Sequence, residues 1–212
     1  MHRAFPDPDL ASALLPHAFD IRDGAHDEAH LLRVWRNAGK IMAAEGGDAG
    51  VLLAAVLLHD CIRVDKTSPQ RNMASRLAAE KARAVLASRG WDEGRIGRVC
   101  HAIEAHSYSA GIEPLTLEAR IVQDADRLDA MGFIGAARCF YLAGMQGASI
   151  CHASDPAAAR RPLDDGAYAL DHFQTKLLSL GATMRTETGR RMAEERAVRL
   201  KNYYLGLLDE VS

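Results

Sequence analysis

The 212-residue chain sets 26 Lys and Arg against 28 Asp and Glu, for a formal net charge of -2, and 48% of its residues are hydrophobic. That near-neutral balance excludes a protein whose main task is holding nucleic acid or an anionic membrane surface, while the apolar share suffices for one substantial core.

Alternating strand-like runs are almost absent and helical spacing recurs, so the expected fold is all-α. Pro8 and Asp9 open a short helix through about Phe19. The next element carries Leu31, Val34, Trp35, Ala38, Ile41 and Met42 at helical spacing, with Asp27 as N-cap and Gly46-Gly47 as its stop. His30 falls in its first turn near the inward face, four residues after His26. Asp48 caps the run VLLAAVLLHD, whose apolar residues end abruptly at His59 and Asp60. Taken alone, that pair is most simply a helix C-terminus where His59 meets the last carbonyls. CIRVDKTSPQR reads as a surface loop, followed by helices over about 72–89 and from Asp92 to HAIEAH, the latter carrying His101, Glu104 and His106. Thr116 caps TLEARIVQDADRLDAMGFIGAARCFYL, read as one helix. Its acids are Asp124, which can face water, and Asp126 and Asp129, which share a face. Gly132 and Gly135 predict a close helix crossing. Residues 144–166 are less regular. A short helix then puts His172 and Lys176 on one face. The last helix, from Met184 to about Glu210, packs through Met192, Val198, Leu200, Tyr204 and Leu207, and Arg190, Arg191, Glu194, Glu195 and Arg196 form a solvated face.

The longest apolar run, Ala49 to Leu58, is too short to span a bilayer, and MHRAFPDPDL places prolines and acids where a signal peptide has its apolar region. Cys61, Cys100, Cys139 and Cys151 form no CxxC pair and read as reduced thiols, which suits a cytoplasmic protein. With no repeat or linker in sight, residues 1–212 are expected to form one domain: a core over about 26–130 with C-terminal helices over about 167–210.

His30, His59-Asp60 and Asp126 lie at the ends or inward faces of three helices, and a helical bundle can gather such residues in its core. Two imidazoles and two carboxylates without a thiolate suit octahedral, relatively hard ions, and leave two positions for water and substrate.

This pattern resembles the HD-domain metal-dependent phosphohydrolases, defined by H…HD…D ligands. The matching segments are HDEAHLLRVWRNA, LLHD and IVQDADRLDAMG, and HAIEAHSYS, RPLDDGAYALDHFQTKLL and MRTETGRRMA extend the likeness to roughly residues 20–210. The whole is similar to a small single-domain bacterial branch that includes nucleoside triphosphate pyrophosphohydrolases. The resemblance implies a single-domain helical bundle of the HD type. It implies that His30, His59, Asp60 and Asp126 bind one divalent metal (Mn2+ or Mg2+ foremost, then Fe2+, Co2+ or Ni2+), which activates a water to attack phosphorus. The leading expectation is hydrolysis of a (d)NTP to (d)NMP and pyrophosphate. The substrate is a small phosphorylated molecule, with no stable nucleic acid or membrane partner and with a homo-dimer open.

The residues add candidate helpers. Lys66, Arg71 and Lys176 offer charge-assisted bonds to phosphate, and Asp65 or Asp129 offers a carboxylate for the proton of the water. His101 and His106 could touch phosphate or serve a second metal. Arg63 stands where one branch of the family has a catalytic Glu, so that branch's general base does not transfer. The alternatives are a bimetallic phosphodiesterase or phosphatase, a non-catalytic nucleotide-binding sensor, and a di-iron oxygenase.

Overall fold

Nine α-helices form among the described residues, and no strand does. The computed structural model describes residues 2–20, 23–64, 68 and 70–212, with Arg71 described by its backbone alone. The chain divides into two compact units, Met1–Asp126 and Arg127–Ser212, and the division falls inside a helix.

In the first unit the helices are α1 (Pro8–Leu14), α2 (Glu28–Glu45), α3 (Ala49–Leu58), α4 (Ala74–Ala87), α5 (Glu93–His106) and the start of α6 (Leu117–Asp129). Helix α3 is its axis: every residue from Val51 to Leu58 is buried, and it packs against α1, α2, α4 and α5. A helix apolar on all sides has no face to give to water and must be surrounded. The expected caps form at Asp27, which accepts from the His30 N–H, and at Asp48, which accepts from those of Gly50 and Val51; Asp92, where the next helix was expected to begin, caps it by accepting from that of Arg95. Helix α1 stops earlier than expected, because Pro16 brings no N–H and a 3-10 turn, Leu15–His17, replaces the last α turn. No helix among the described residues is long and apolar enough to cross a membrane.

The second unit holds α7 (Gly132–Met145), α8 (Ala169–Thr175) and α9 (Glu187–Val211). Phe173, Leu170, Leu177, Leu200 and Tyr204 are buried together with Ala136 and Cys139. The Arg161 guanidinium clasps the buried Asp171 carboxylate at 2.5 and 2.8 Å, fixing the irregular segment before α8. Two expectations for α9 are corrected. Arg196 is half-buried and donates to the Leu128 carbonyl, and Val198 is exposed because Leu200 and Tyr204 take the inward positions.

The single helix expected from Thr116 to Leu142 is also corrected, since it breaks between Asp129 and Gly132. Gly132 sits at φ +66, and a Cβ on Gly135 would lie 2.2 Å from the Ala130 carbonyl oxygen. The glycines therefore permit the sharp turn between α6 and α7, where any side chain at 135 collides with backbone. Gly135→Ala is expected to cost about 2–3 kcal/mol and lower the melting temperature by about 5–10 °C. Gly39→Ala, in open space on α2, is expected to be neutral or stabilising by up to about 1 kcal/mol. Paired thermal melts of the two variants check both signs.

Candidate metal centre

Helix α3 delivers its last turn to a fixed place, and the residues just beyond it are His59 and Asp60. His59 Nδ1 donates to the Val56 carbonyl, 2.8 Å away, so the ring does cap the helix. That bond leaves the opposite nitrogen, Nε2, to present its lone pair. His106 repeats the device at the end of α5, with Nδ1 donating to the Ile103 carbonyl at 2.5 Å. His30 enters from the first turn of α2.

The Nε2 atoms converge with the carboxylates. His30 Nε2 and His59 Nε2 are 3.3 Å apart. Asp60 Oδ2 lies 3.4 Å from His59 Nε2 and 3.8 Å from His30 Nε2. Asp126 Oδ1 lies 3.6 Å from His30 Nε2 and 3.8 Å from His59 Nε2. His106 Nε2 reaches to 3.6 Å from Asp60 Oδ1. For metal–ligand bonds of about 2.1 Å, neighbouring octahedral ligand atoms stand about 3 Å apart and opposite ones about 4.2 Å. The observed spacings fit one small divalent cation after a slight contraction, and the groups His30, His59, Asp60 and His59, His106, Asp126 can each hold one. The imidazoles form a buried floor, whereas the side chains of Asp60 and Asp126 are 35% and 26% exposed and make the rim.

Electrostatics follow from this packing. Burial works against a charge on His59, but Asp60 and Asp126 outweigh it and push the pKa up to about 9. Burial also opposes ionisation of Asp60, yet the His59 and His106 rings hold it well below the ordinary carboxylate range. Asp126 is lowered too, with burial again opposed, this time by His59, His30 and His106.

The other expected site residues fall elsewhere. His101 Nε2 accepts the Leu115 N–H at 2.9 Å, pinning the loop after α5. Asp129 is buried, and Arg138 holds its carboxylate at 2.9 Å. Asp124, which was expected to be able to face water, is fully buried. Lys176 ends α8 in the second unit and is half-buried. Asp65 and Lys66 lie outside the described residues, as does the Arg71 side chain. Two buried amides that the sequence reading passed over position the centre. Asn37 Nδ2 donates to the Ala125 carbonyl at 3.0 Å, tying α6 to α2, and Gln123 Nε2 donates to the Ala105 carbonyl at 2.6 Å, tying it to α5. Asn37 falls at helical spacing between Val34 and Ile41, a polar residue in an apolar stripe, and that was a legible signal.

Comparison with known proteins agrees with this geometry. Residues 28–131 match the HD domain. The uncharacterized protein YpgQ of Bacillus subtilis is 35% identical over 175 residues, covering 81% of this chain and 77% of that protein. A crystal structure of Bacillus subtilis YpgQ in complex with ADP superposes with a TM-score of 0.73 at 32% identity, over 96% of this chain and 93% of that one. An HD-superfamily hydrolase from Bacillus thuringiensis gives 0.70 at 26% identity, over 95% and 96%. The HD match and the clustered donors together imply a divalent cation.

Saturating Mn2+ at about 100 times its Kd is expected to add about 2.7 kcal/mol and raise the melting temperature by about 5–10 °C. The pH dependence has two opposite signs. His59 titrates at about 9 in the folded protein against 6.5 ordinarily, so chelated protein carries that stabilisation in full below about 6.5 and loses it as pH rises through about 9. A cation needs the neutral imidazole, so the Mn2+-induced shift grows over the same interval. Melts from pH 6 to 9, with chelator or with Mn2+, check both slopes, and Asp126→Ala is expected to abolish most of the Mn2+ effect.

Proposed function

The chain belongs to the HD-domain family of metal-dependent phosphohydrolases, and on that premise we propose that it hydrolyses a nucleoside triphosphate to the monophosphate and pyrophosphate. The observation that carries the nucleotide reading is the ADP bound by YpgQ, whose fold this chain follows at 32% identity.

In this reading His30, His59, Asp60 and Asp126 hold the cation. Once bound, it supplies Lewis-acid charge for the phosphoryl oxygens and makes a water nucleophilic near neutral pH. The remaining steps belong to the protein. The partly exposed carboxylates of Asp60 and Asp126 would leave the rim of the site accessible to water and to the polyphosphate. The Nδ1 bonds of His59 and His106 keep both rings turned with Nε2 inward, so the donor set is arranged before substrate arrives. Of the two carboxylates first considered as proton acceptor, Asp65 is proposed ahead of Asp129, whose charge is committed to Arg138. Lys66, Arg71 and Lys176 remain the proposed phosphate contacts, and the cytoplasm remains the proposed location.

His106 favours one second reading. It joins His59 and Asp126 in a group that can hold a cation, and two ions per chain would suit a phosphodiesterase or phosphatase. Metal analysis of the loaded protein divides the readings, with one equivalent expected. Mn2+-loaded protein is expected to release pyrophosphate, not phosphate, from triphosphates. Losing a second-sphere partner costs 10–100-fold, so loss of a ligand in Asp126→Ala should cost more than about 100-fold. Phosphate from monophosphates or cleavage of a cyclic dinucleotide would transfer the chain to the second reading. Tight nucleotide binding without any product would make it a sensor.

A further inference from the structure

Outside the metal cluster, one buried carboxylate gathers an unusual number of donors. Asp23 stands in the turn before α2 with its side chain only 3% exposed. Its Oδ1 accepts the N–H groups of Ala25 and His26, both at 2.8 Å, which is the ordinary work of a turn cap. Its Oδ2 does something a cap does not require. It accepts Arg63 NH1 at 2.6 Å and lies 3.1 Å from His26 Nδ1, which it shares with Oδ1 at 3.2 Å. The His26 ring in turn meets His30 edge-on, with centroids 5.7 Å apart. Arg63 follows Asp60 by three residues, and its side chain is 40% exposed. One carboxylate thus orients two nitrogen-rich side chains at the edge of the metal centre, each with further nitrogen directed elsewhere: His26 through Nε2, Arg63 through the rest of its fork.

Charge balance gives this corner a purpose. A divalent cation between the Asp60 and Asp126 carboxylates leaves the centre close to neutral, so it contributes little net attraction for a polyanion. The triphosphate, and the pyrophosphate leaving it, need directed hydrogen-bond donors from elsewhere, and a guanidinium, even one whose charge is balanced by Asp23, matches phosphate oxygens in pairs.

We propose that Asp23 is a positioning residue that holds Arg63 and His26 as a phosphate-binding corner beside the metal centre, where they grip the pyrophosphate portion of the substrate. This rests on the reading of the substrate as a polyphosphate. Arg63 is the principal contact and His26 the second. A role confined to capping the turn would not require the Arg63 bond and would leave ligand binding indifferent to Arg63.

The test separates phosphate binding from metal binding and from turnover. Inorganic pyrophosphate is titrated into Mn2+-loaded protein by calorimetry, and Mn2+ is titrated separately into stripped protein. Asp23→Asn keeps an acceptor for the turn while turning an amide toward Arg63 and His26. It is expected to weaken pyrophosphate binding by about tenfold or more and to leave Mn2+ affinity within about twofold. Arg63→Ala gives the same pattern, Arg63→Lys recovers part of the loss, and Arg83→Ala changes neither ligand. Unchanged pyrophosphate affinity in Asp23→Asn and Arg63→Ala overturns the proposal, as does a parallel loss of Mn2+ affinity, which would make the corner a support for His30. Tight, Arg63-dependent pyrophosphate binding in a wild-type protein that cleaves no triphosphate would uphold the corner and refute the proposed reaction.

Discussion

Two imidazole nitrogens held 3.3 Å apart in a buried floor are the constraint on which this structure turns. At that distance either a proton sits between the two nitrogens, as the raised pKa of His59 provides, or both lone pairs face a cation. In water the rings would rotate away. Here His59 cannot, because its other nitrogen is bonded to the Val56 carbonyl and the helix that carries it is enclosed on every side. Burying a single Leu or Val contributes about 1.5–3 kcal/mol, and α3 buries Val51 through Leu58 without a gap. The approach of the two rings is therefore held in place by an apolar helix buried on every side. The core and the centre are one arrangement seen from its two ends.

The same economy appears in the second C-terminal histidine. At the ends of both α3 and α5 a His ring returns Nδ1 to the carbonyl three residues back and turns Nε2 outward past the helix. A capping role and a ligand role, which look like rivals in the sequence, are compatible because imidazole has two nitrogens with opposite directions. The carboxylates complete the design differently. Their shorter side chains sit at the rim, where partial exposure lowers the penalty for carrying charge and leaves room for a phosphate to approach.

Much of this was legible in the chain. Helical spacing and caps at Asp27, Asp48 and Asp92 place α2, α3 and α5 because these are local signals, fixed within a few residues of backbone. His30, His59, Asp60 and Asp126 were legible only as a set, through the H…HD…D pattern, since each alone reads as a cap or a satisfied core residue. The break between α6 and α7 was not, since a glycine that packs a helix and one that ends a helix are the same residue; only the Ala130 carbonyl beside Gly135 distinguishes them. The fate of Asp124 and Asp129 was equally hidden. Which of several acids on one helix meets solvent, an arginine or a metal depends on the partner brought by distant sequence, here Arg138 for Asp129.

Asp23 shows how far that dependence extends. Nothing in RDGAHDEAH marks it above Asp27, and as turn and helix caps the two are alike. The difference comes from Arg63, forty residues away, which reaches Asp23 at 2.6 Å because the turn after α3 and the turn before α2 are brought together by the packing of those two helices. The burial that fixes the donor cluster also fixes the corner, since both hang on the same pair of helices. A divalent centre made nearly neutral by its own carboxylates has little charge of its own with which to distinguish a monophosphate from a longer polyphosphate. Discrimination must then come from directed donors just outside it, and Arg63, tethered to a buried carboxylate, combines fixed direction with fork nitrogens left to meet phosphate.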